Sequence, residues 1–173
     1  MIHRNILVVD DSEDWRDLFR SSLLRSNYHV DTAASYTEAL EKLTRCQIEL
    51  VIVDLRLDMV DENNRDGMSL LKDLNQRGIN ALVITGYGTL ALQQQAKALK
   101  AITFIAKTVI GRSADKLKKI VNEIFSEMEN RDRKRSRLSE AFSAGEAIGY
   151  PAEAAGYPLV EQLSDKVDTI LES

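Results

Sequence analysis

The chain is punctuated by short runs that are apolar along their whole length: ILVV at 6–9, LVIV at 50–53 and ALVI at 81–84. They are strand-length and rich in β-branched residues, and between them lie longer segments in which apolar residues recur every three or four positions. A strand that is apolar on both faces needs cover on both faces. Alternation with amphipathic helices supplies it, which is the pattern of repeated strand-helix units around a parallel sheet. Five strands are expected, at 6–9, 28–32, 50–53, 81–85 and 103–106, with the first, third and fourth central. The helical segments between them are DWRDLFRSSLLRS, SYTEALEKLTRC, GMSLLKDLNQRG and TLALQQQAKALKA. Leu18, Leu23 and Leu24 form the apolar stripe of the first, and Ala39, Leu40 and Leu43 that of the second. Ser35 and Thr89 are expected N-caps and Gly78 a helix stop. A fifth helix is expected from about Ser113, with Leu117, Ile120, Val121, Ile124, Phe125 and Met128 inward.

With 173 residues the chain is long enough for one domain and an appendage. A formal charge of -4 on a chain that is 44% hydrophobic and 29% charged excludes a generally basic, nucleic-acid-coating protein. The longest apolar runs fall far short of the roughly 20 residues that span a bilayer, and the first strand begins almost at Met1, leaving no room for a signal peptide. No membrane partner and a cytoplasmic location are therefore expected. Cys46 is the single cysteine, which excludes an internal disulfide and a cysteine-built zinc site.

In an open parallel sheet the binding crevice lies beyond the carboxyl ends of the strands, so the residues that end the apolar runs carry the functional information. The first run ends in Asp10 and Asp11, the third in Asp54, the fourth in Thr85 and the fifth in Lys107. Any one of these reads as a cap or a turn. Together they bring three carboxylates, a hydroxyl and an ammonium to one edge. Carboxylates so crowded repel one another unless a cation sits among them, and Mg2+, a hard ion that takes oxygen ligands, answers that repulsion. A carboxylate beside such an ion is able to attack the phosphorus of a phosphorylated donor and form an acyl phosphate. Asp54 is the expected nucleophile, since it ends the central strand with the acids on one side and Thr85 and Lys107 on the other.

These residues, in this order, resemble the receiver domain of two-component response regulators. The resemblance covers roughly residues 3–128 and implies a flavodoxin-like (βα)5 three-layer sandwich, its five-stranded parallel sheet in the order 2-1-3-4-5. It further implies that Asp54 is the phosphoacceptor and that a sensor histidine kinase or a phosphotransfer protein is the donor. Asp10, Asp11, Asp54 and the backbone carbonyl of Arg56 are the implied Mg2+ ligands. Thr85 is the implied switch hydroxyl, Gly86 the residue that leaves room for the phosphoryl group, Phe104 the aromatic switch and Lys107 the phosphate-pairing cation. The chain is then a phosphoacceptor switch rather than an enzyme; the haloacid dehalogenase class, which also forms an aspartyl phosphate, needs an Asp where Arg56 stands.

Two features depart from the family pattern. The segment LRLDMVDENNRDG takes twelve residues from Asp54 to its Asp-Gly, without a proline, and is rich in acids: Asp58, Asp61, Glu62 and Asp66. The lysine is followed by Thr108 in place of the proline of a cis peptide. Two geometries are open there, a trans Lys107–Thr108 bond with a different lysine approach, or a retained cis bond. Arg56 and Tyr87, two residues beyond Asp54 and Thr85, are expected to flank the acceptor and shield an acyl phosphate from water.

The receiver is expected to occupy 1–128 and an extension 129–173. Helical phasing runs on into ENRDRKRSRLSEAF, where Arg131, Arg133, Lys134, Arg135 and Arg137 are diluted by Glu129, Asp132 and Glu140. Too few residues follow for a winged-helix domain, so nucleic acid is not the expected partner; a transcriptional regulator using 131–137 is the alternative. Gly-Tyr-Pro occurs at Gly149 and again at Gly156. From Pro158, Leu159, Leu163, Val167, Ile170 and Leu171 fall on one helical face, which must lie on the receiver, a second copy as a homodimer, or another protein. Output is expected through the fourth helix, fifth strand and fifth helix together with this tail.

Overall fold

The computed structural model describes residues 4–24, 28–58, 61, 64–111, 113–143 and 159–172. The Gly-Tyr-Pro pair at Gly149 and Gly156, and Glu62 of the acidic loop, lie outside them. The strands are β1 Arg4–Val9, β2 Tyr28–Ala33, β3 Leu50–Val53, β4 Asn80–Thr85 and β5 Phe104–Ala106. All pair in parallel, in the order β2-β1-β3-β4-β5. β3 is buried throughout and β4 everywhere except Asn80, as central strands covered on both faces must be. The edge strand β2 mixes buried and exposed positions.

Helices α1 Glu13–Leu24, α2 Tyr36–Arg45, α3 Asp66–Arg77 and α4 Leu90–Ala98 fill the crossovers. Ser35 caps α2 by accepting from the Glu38 amide, and Glu38 returns a carboxylate to the Ala34 amide at 2.8 Å, so the helix entrance is tied from both sides. Thr89 caps α4 through the Leu92 amide, and Gly78 ends α3 in the left-handed region at φ 69°. The α1 stripe differs from the expected one. Phe19 and Leu23, four apart, are buried, whereas Leu24 is 52% exposed, because one residue rotates the face by about 100° away from the core.

The lysine end of the sheet also differs. Lys107 does not close β5 but opens an extra turn, α5 Lys107–Gly111, before α6 Ala114–Ser143. There are thus six helices rather than five up to residue 130 among the described residues. Lys107 and Ile110, three apart and therefore on one face of the turn, are both buried.

The chain divides into two compact units, Met1–Lys118 and Lys119–Ser173, with the division inside α6. The first holds the sheet and a core built from Leu7, Val9, Val51, Val53, Leu70, Leu71, Leu74 and Val83 among others. In the second, Ile120, Val121, Ile124 and Phe125 of α6 are buried, as are Leu163 and Val167 of α7 Leu159–Glu172. Lys166 of α7 donates to Glu123 of α6 at 2.7 Å and to Glu127 as well, and these two carboxylates push its ammonium up to about 12.

Candidate functional site

The in-phase pairing of β1, β3 and β4 sets Val9 beside Val53 and Val53 beside Val83, so the residues that leave the sheet do so side by side. The Asp54 amide donates to the Val9 carbonyl at 2.9 Å and the Asp10 amide to Ala33 at 3.1 Å, carrying the strand pairing one residue past the runs. The buried polar side chains among the described residues are Asp10, Asp54, Thr85 and Lys107, each 8% exposed or less. Burial of four polar groups at one sheet edge is costly unless they satisfy one another. They do so around Asp54. The Thr85 hydroxyl donates to Oδ1 at 2.6 Å and Lys107 Nζ to Oδ2 at 2.5 Å, while the Arg56 amide adds a 3.2 Å bond to Oδ1.

Lys107 Nζ is also ion-paired with Asp10 Oδ2 at 2.7 Å, and that oxygen has no other partner. Asp10 Oδ1 accepts from the Ser12 amide at 3.1 Å. Burial raises the Asp10 carboxyl to about 6; Lys107 pulls it down less strongly, and the Asp54 charge adds to the rise. Asp10, Asp11 and Asp54 each bring a carboxylate oxygen within 4.8 Å of the others. A buried Asp10 oxygen with no partner but the Lys107 ammonium, and an all-oxygen donor set with three acids against one ammonium, fit a hard divalent cation such as Mg2+. Among the described residues no acid of the long loop joins the cluster. Asp58 instead accepts from the Asp61 amide, and Asn64 ties the loop together by accepting from the amides of Leu57 and Asp66.

No described peptide bond is cis, so Lys107–Thr108 is trans and the lysine reaches Asp54 from the first turn of α5. Gly86 is open: a Cβ there would meet only Lys107 Cδ, at 3.9 Å. Phe104 is half-buried with its ring against Gly88, where a Cβ would come within 3.0 Å. Arg56 and Tyr87 stack, the guanidinium carbon 3.4 Å from the ring centroid, with Tyr87 54% exposed. Two residues beside the site carry no signal in apolar periodicity. Arg16 Nη1 donates to the carbonyls of Asp10 at 2.7 Å and Asp11 at 2.9 Å, which pins the turn that presents the acids. Trp15 brings its ring within 5.2 Å of Lys107 Nζ.

The family described as response regulator receiver domain matches residues 6–122, well over half of the chain. The chain belongs to this family. Its relatives include sporulation initiation phosphotransferase F of Bacillus subtilis (strain 168), 30% identical over 109 residues, covering 62% of this chain and 84% of that one. Transcriptional regulatory protein GlrR of Escherichia coli (strain K12) is 32% identical over 107 residues, but this chain spans only 23% of its length. Among solved structures, the receiver domain of NtrX from Brucella abortus is 29% identical with a TM-score of 0.59, covering 68% of this chain and 95% of that one. A longer NtrX chain from the same organism is 26% identical with a TM-score of 0.67, and there 95% of this chain matches 34% of that one. No helix among the described residues is long and apolar enough to cross a membrane.

Proposed function

We propose that this receiver accepts a phosphoryl group on Asp54 from the phosphohistidine of a sensor histidine kinase or phosphotransfer protein, in the cytoplasm. One observation carries the reading: the Asp54 carboxylate is buried with one oxygen on the Thr85 hydroxyl, the other on Lys107, and two further carboxylates alongside. Asp10, Asp11, Asp54 and the Arg56 carbonyl would hold Mg2+, which when bound offsets the charge of the acids and of the incoming phosphoryl group. An Asp54 oxygen attacks phosphorus, an O–P bond forms, the P–N bond of the donor breaks and its electron pair returns to the imidazole nitrogen. Lys107 follows the charge onto a phosphoryl oxygen and the Thr85 hydroxyl turns to another, while Gly86 leaves the space. Movement of Thr85 opens room that the Phe104 ring takes up. The change is passed on as altered contacts with a partner protein or a second copy, made by α4, β5, α6 and the tail helix α7.

Incubation with acetyl phosphate and Mg2+ is expected to add one phosphoryl mass to the wild type and none to Asp54→Asn; equal labelling of the two proteins would sink the reading. The Arg56–Tyr87 stack bears on what happens next. Its two residues stand two beyond Asp54 and two beyond Thr85, where a flat stacked pair would restrict the approach of water. In the Arg56→Ala, Tyr87→Ala double variant the half-life of the labelled protein is expected to shorten roughly three- to tenfold, about 0.7–1.4 kcal/mol off the hydrolysis barrier. An unchanged decay rate rejects the shielding role.

A second reading, a transcriptional regulator using the basic segment 131–137, is supported by the name of one relative, transcriptional regulatory protein GlrR, of which this chain spans 23%. Arg131, Arg133, Lys134, Arg135 and Arg137 are all exposed on α6. A salt-sensitive gel shift that disappears when these five are neutralised separates it from the interaction reading.

A further inference from the structure

Lys107 reaches the acids by a route of its own. Thr108 follows it, the intervening bond is trans, and the lysine opens a helical turn instead of closing the strand. An ammonium has three N–H donors. Carboxylates take two directions around this one, Asp54 Oδ2 at 2.5 Å and Asp10 Oδ2 at 2.7 Å. A further side is occupied by the indole of Trp15 from α1, whose centroid is 5.2 Å from Nζ. That lies within the roughly 6 Å over which a cation is attracted to an aromatic face, an attraction strengthened by burial.

The indole is itself held in place from two directions. Its centroid is 5.5 Å from the buried Phe19 ring, at a tilt of 41°. On α5, a Cβ at Gly111 would come within 3.2 Å of Trp15 Cη2, so the ring occupies the notch left by that missing side chain. Lys107 and Gly111 are four residues apart in one helical turn and share a face. One ring therefore contacts both ends of the turn that carries the lysine.

We infer that Trp15 is a positioning residue for Lys107, holding the ammonium at the acceptor by an attraction that does not depend on the charge of Asp54. The inference rests on the reading of Asp54 as acceptor. An ammonium held only by the two carboxylates has to break an ion pair before it follows charge onto a phosphoryl group. The attraction to an aromatic face is shallow and weakly directional, and it persists while Asp54 reacts. It keeps the lysine within reach without fixing it to either acid.

With acetyl phosphate and Mg2+, Trp15→Leu is expected to be labelled at Asp54 about tenfold more slowly than wild type, the scale of a desolvated cation–π contact. Trp15→Phe, which keeps an aromatic face, stays within about threefold on the same scale. Gly111→Val displaces the ring while leaving Lys107 and every acid in place, and its rate falls between the two. Trp15 is the single tryptophan of the chain. Its emission therefore reports the contact without any phosphodonor, and Lys107→Met is expected to change it. Wild-type labelling rates in Trp15→Leu, equal losses in the Leu and Phe variants, or unchanged emission in Lys107→Met each overturn the positioning role. A wild type that gains no mass at Asp54 overturns the acceptor reading instead, and this inference with it.

Discussion

Gly67→Ala is expected to lower the free energy of unfolding by about 3 kcal/mol or more, the upper end of the range for overpacking. Gly67 is the second residue of α3, where the helix start lies directly on the chain leaving β3. A Cβ at this position would sit 2.3 Å from the Asp54 carbonyl oxygen and 2.5 Å from Leu55 Cα. Both are backbone atoms, so no rotamer change relieves the overlap. Either α3 retreats from the sheet or the Asp54–Leu55 backbone moves, and in the second case the Asp54 carboxylate moves with it. Urea unfolding checks this as a fall in midpoint at unchanged slope. Gly78→Ala is the control, since it has φ 69° with nothing within 4 Å of the added Cβ. Only left-handed strain of about 1 kcal/mol is expected there. Equal costs at the two glycines would show that the close approach at Gly67 is easily relaxed.

In chelator, the wild type is expected to lose about 3 kcal/mol of stability relative to Asp10→Asn between pH 4 and pH 7. Burial raises the folded Asp10 carboxyl from 3.8 to about 6. Between those values the unfolded chain has released a proton that the folded chain still holds. The contribution of Asp10 is therefore fully present below about pH 4 and is lost as the pH rises through about 6. Other carboxylates act in the opposite sense. Lys42 and local amide donors hold Asp31 and Glu38 below their usual range against the opposing effect of burial, so only the difference between wild type and variant isolates Asp10. Millimolar Mg2+ is expected to shrink the difference at pH 7, because a divalent cation among the acids favours the ionised form. A difference that stays flat across this range in chelator refutes the linkage. The physical reason is the burial of the Asp10 carboxylate, which Lys107 only partly offsets.

Much of this site is legible in the chain because its parts sit at the ends of apolar runs. Asp10, Asp54 and Thr85 can be found from where hydrophobicity stops, and a parallel sheet brings such ends together whatever the helices between them look like. Lys107 is found the same way, although it begins a helix rather than ending a strand. Phe19 and Leu24 exchange places relative to the expected stripe because a three-or-four spacing defines a helical face only to within a residue. Trp15 and Arg16 are not legible in the chain for a different reason. Both look like ordinary residues of an amphipathic helix, and their roles lie in what they touch: the Lys107 ammonium in one case, the Asp10 and Asp11 carbonyls in the other.

From the sequence alone follow the parallel sheet, its central strands, the acids and the ammonium at one edge, and the family resemblance, since each depends on composition and spacing along the chain. Tertiary structure decided the rest. It set Asp54 between Thr85 and Lys107, which lie 31 and 53 residues away, left one oxygen of Asp10 with no partner but the Lys107 ammonium, and seated a tryptophan against the lysine. It also set Lys166 of the tail helix against Glu123 of α6. Periodicity records which side of an element is buried. Which distant group arrives there depends on strand register and on close approaches such as the one Gly67 allows, and neither is written in local spacing.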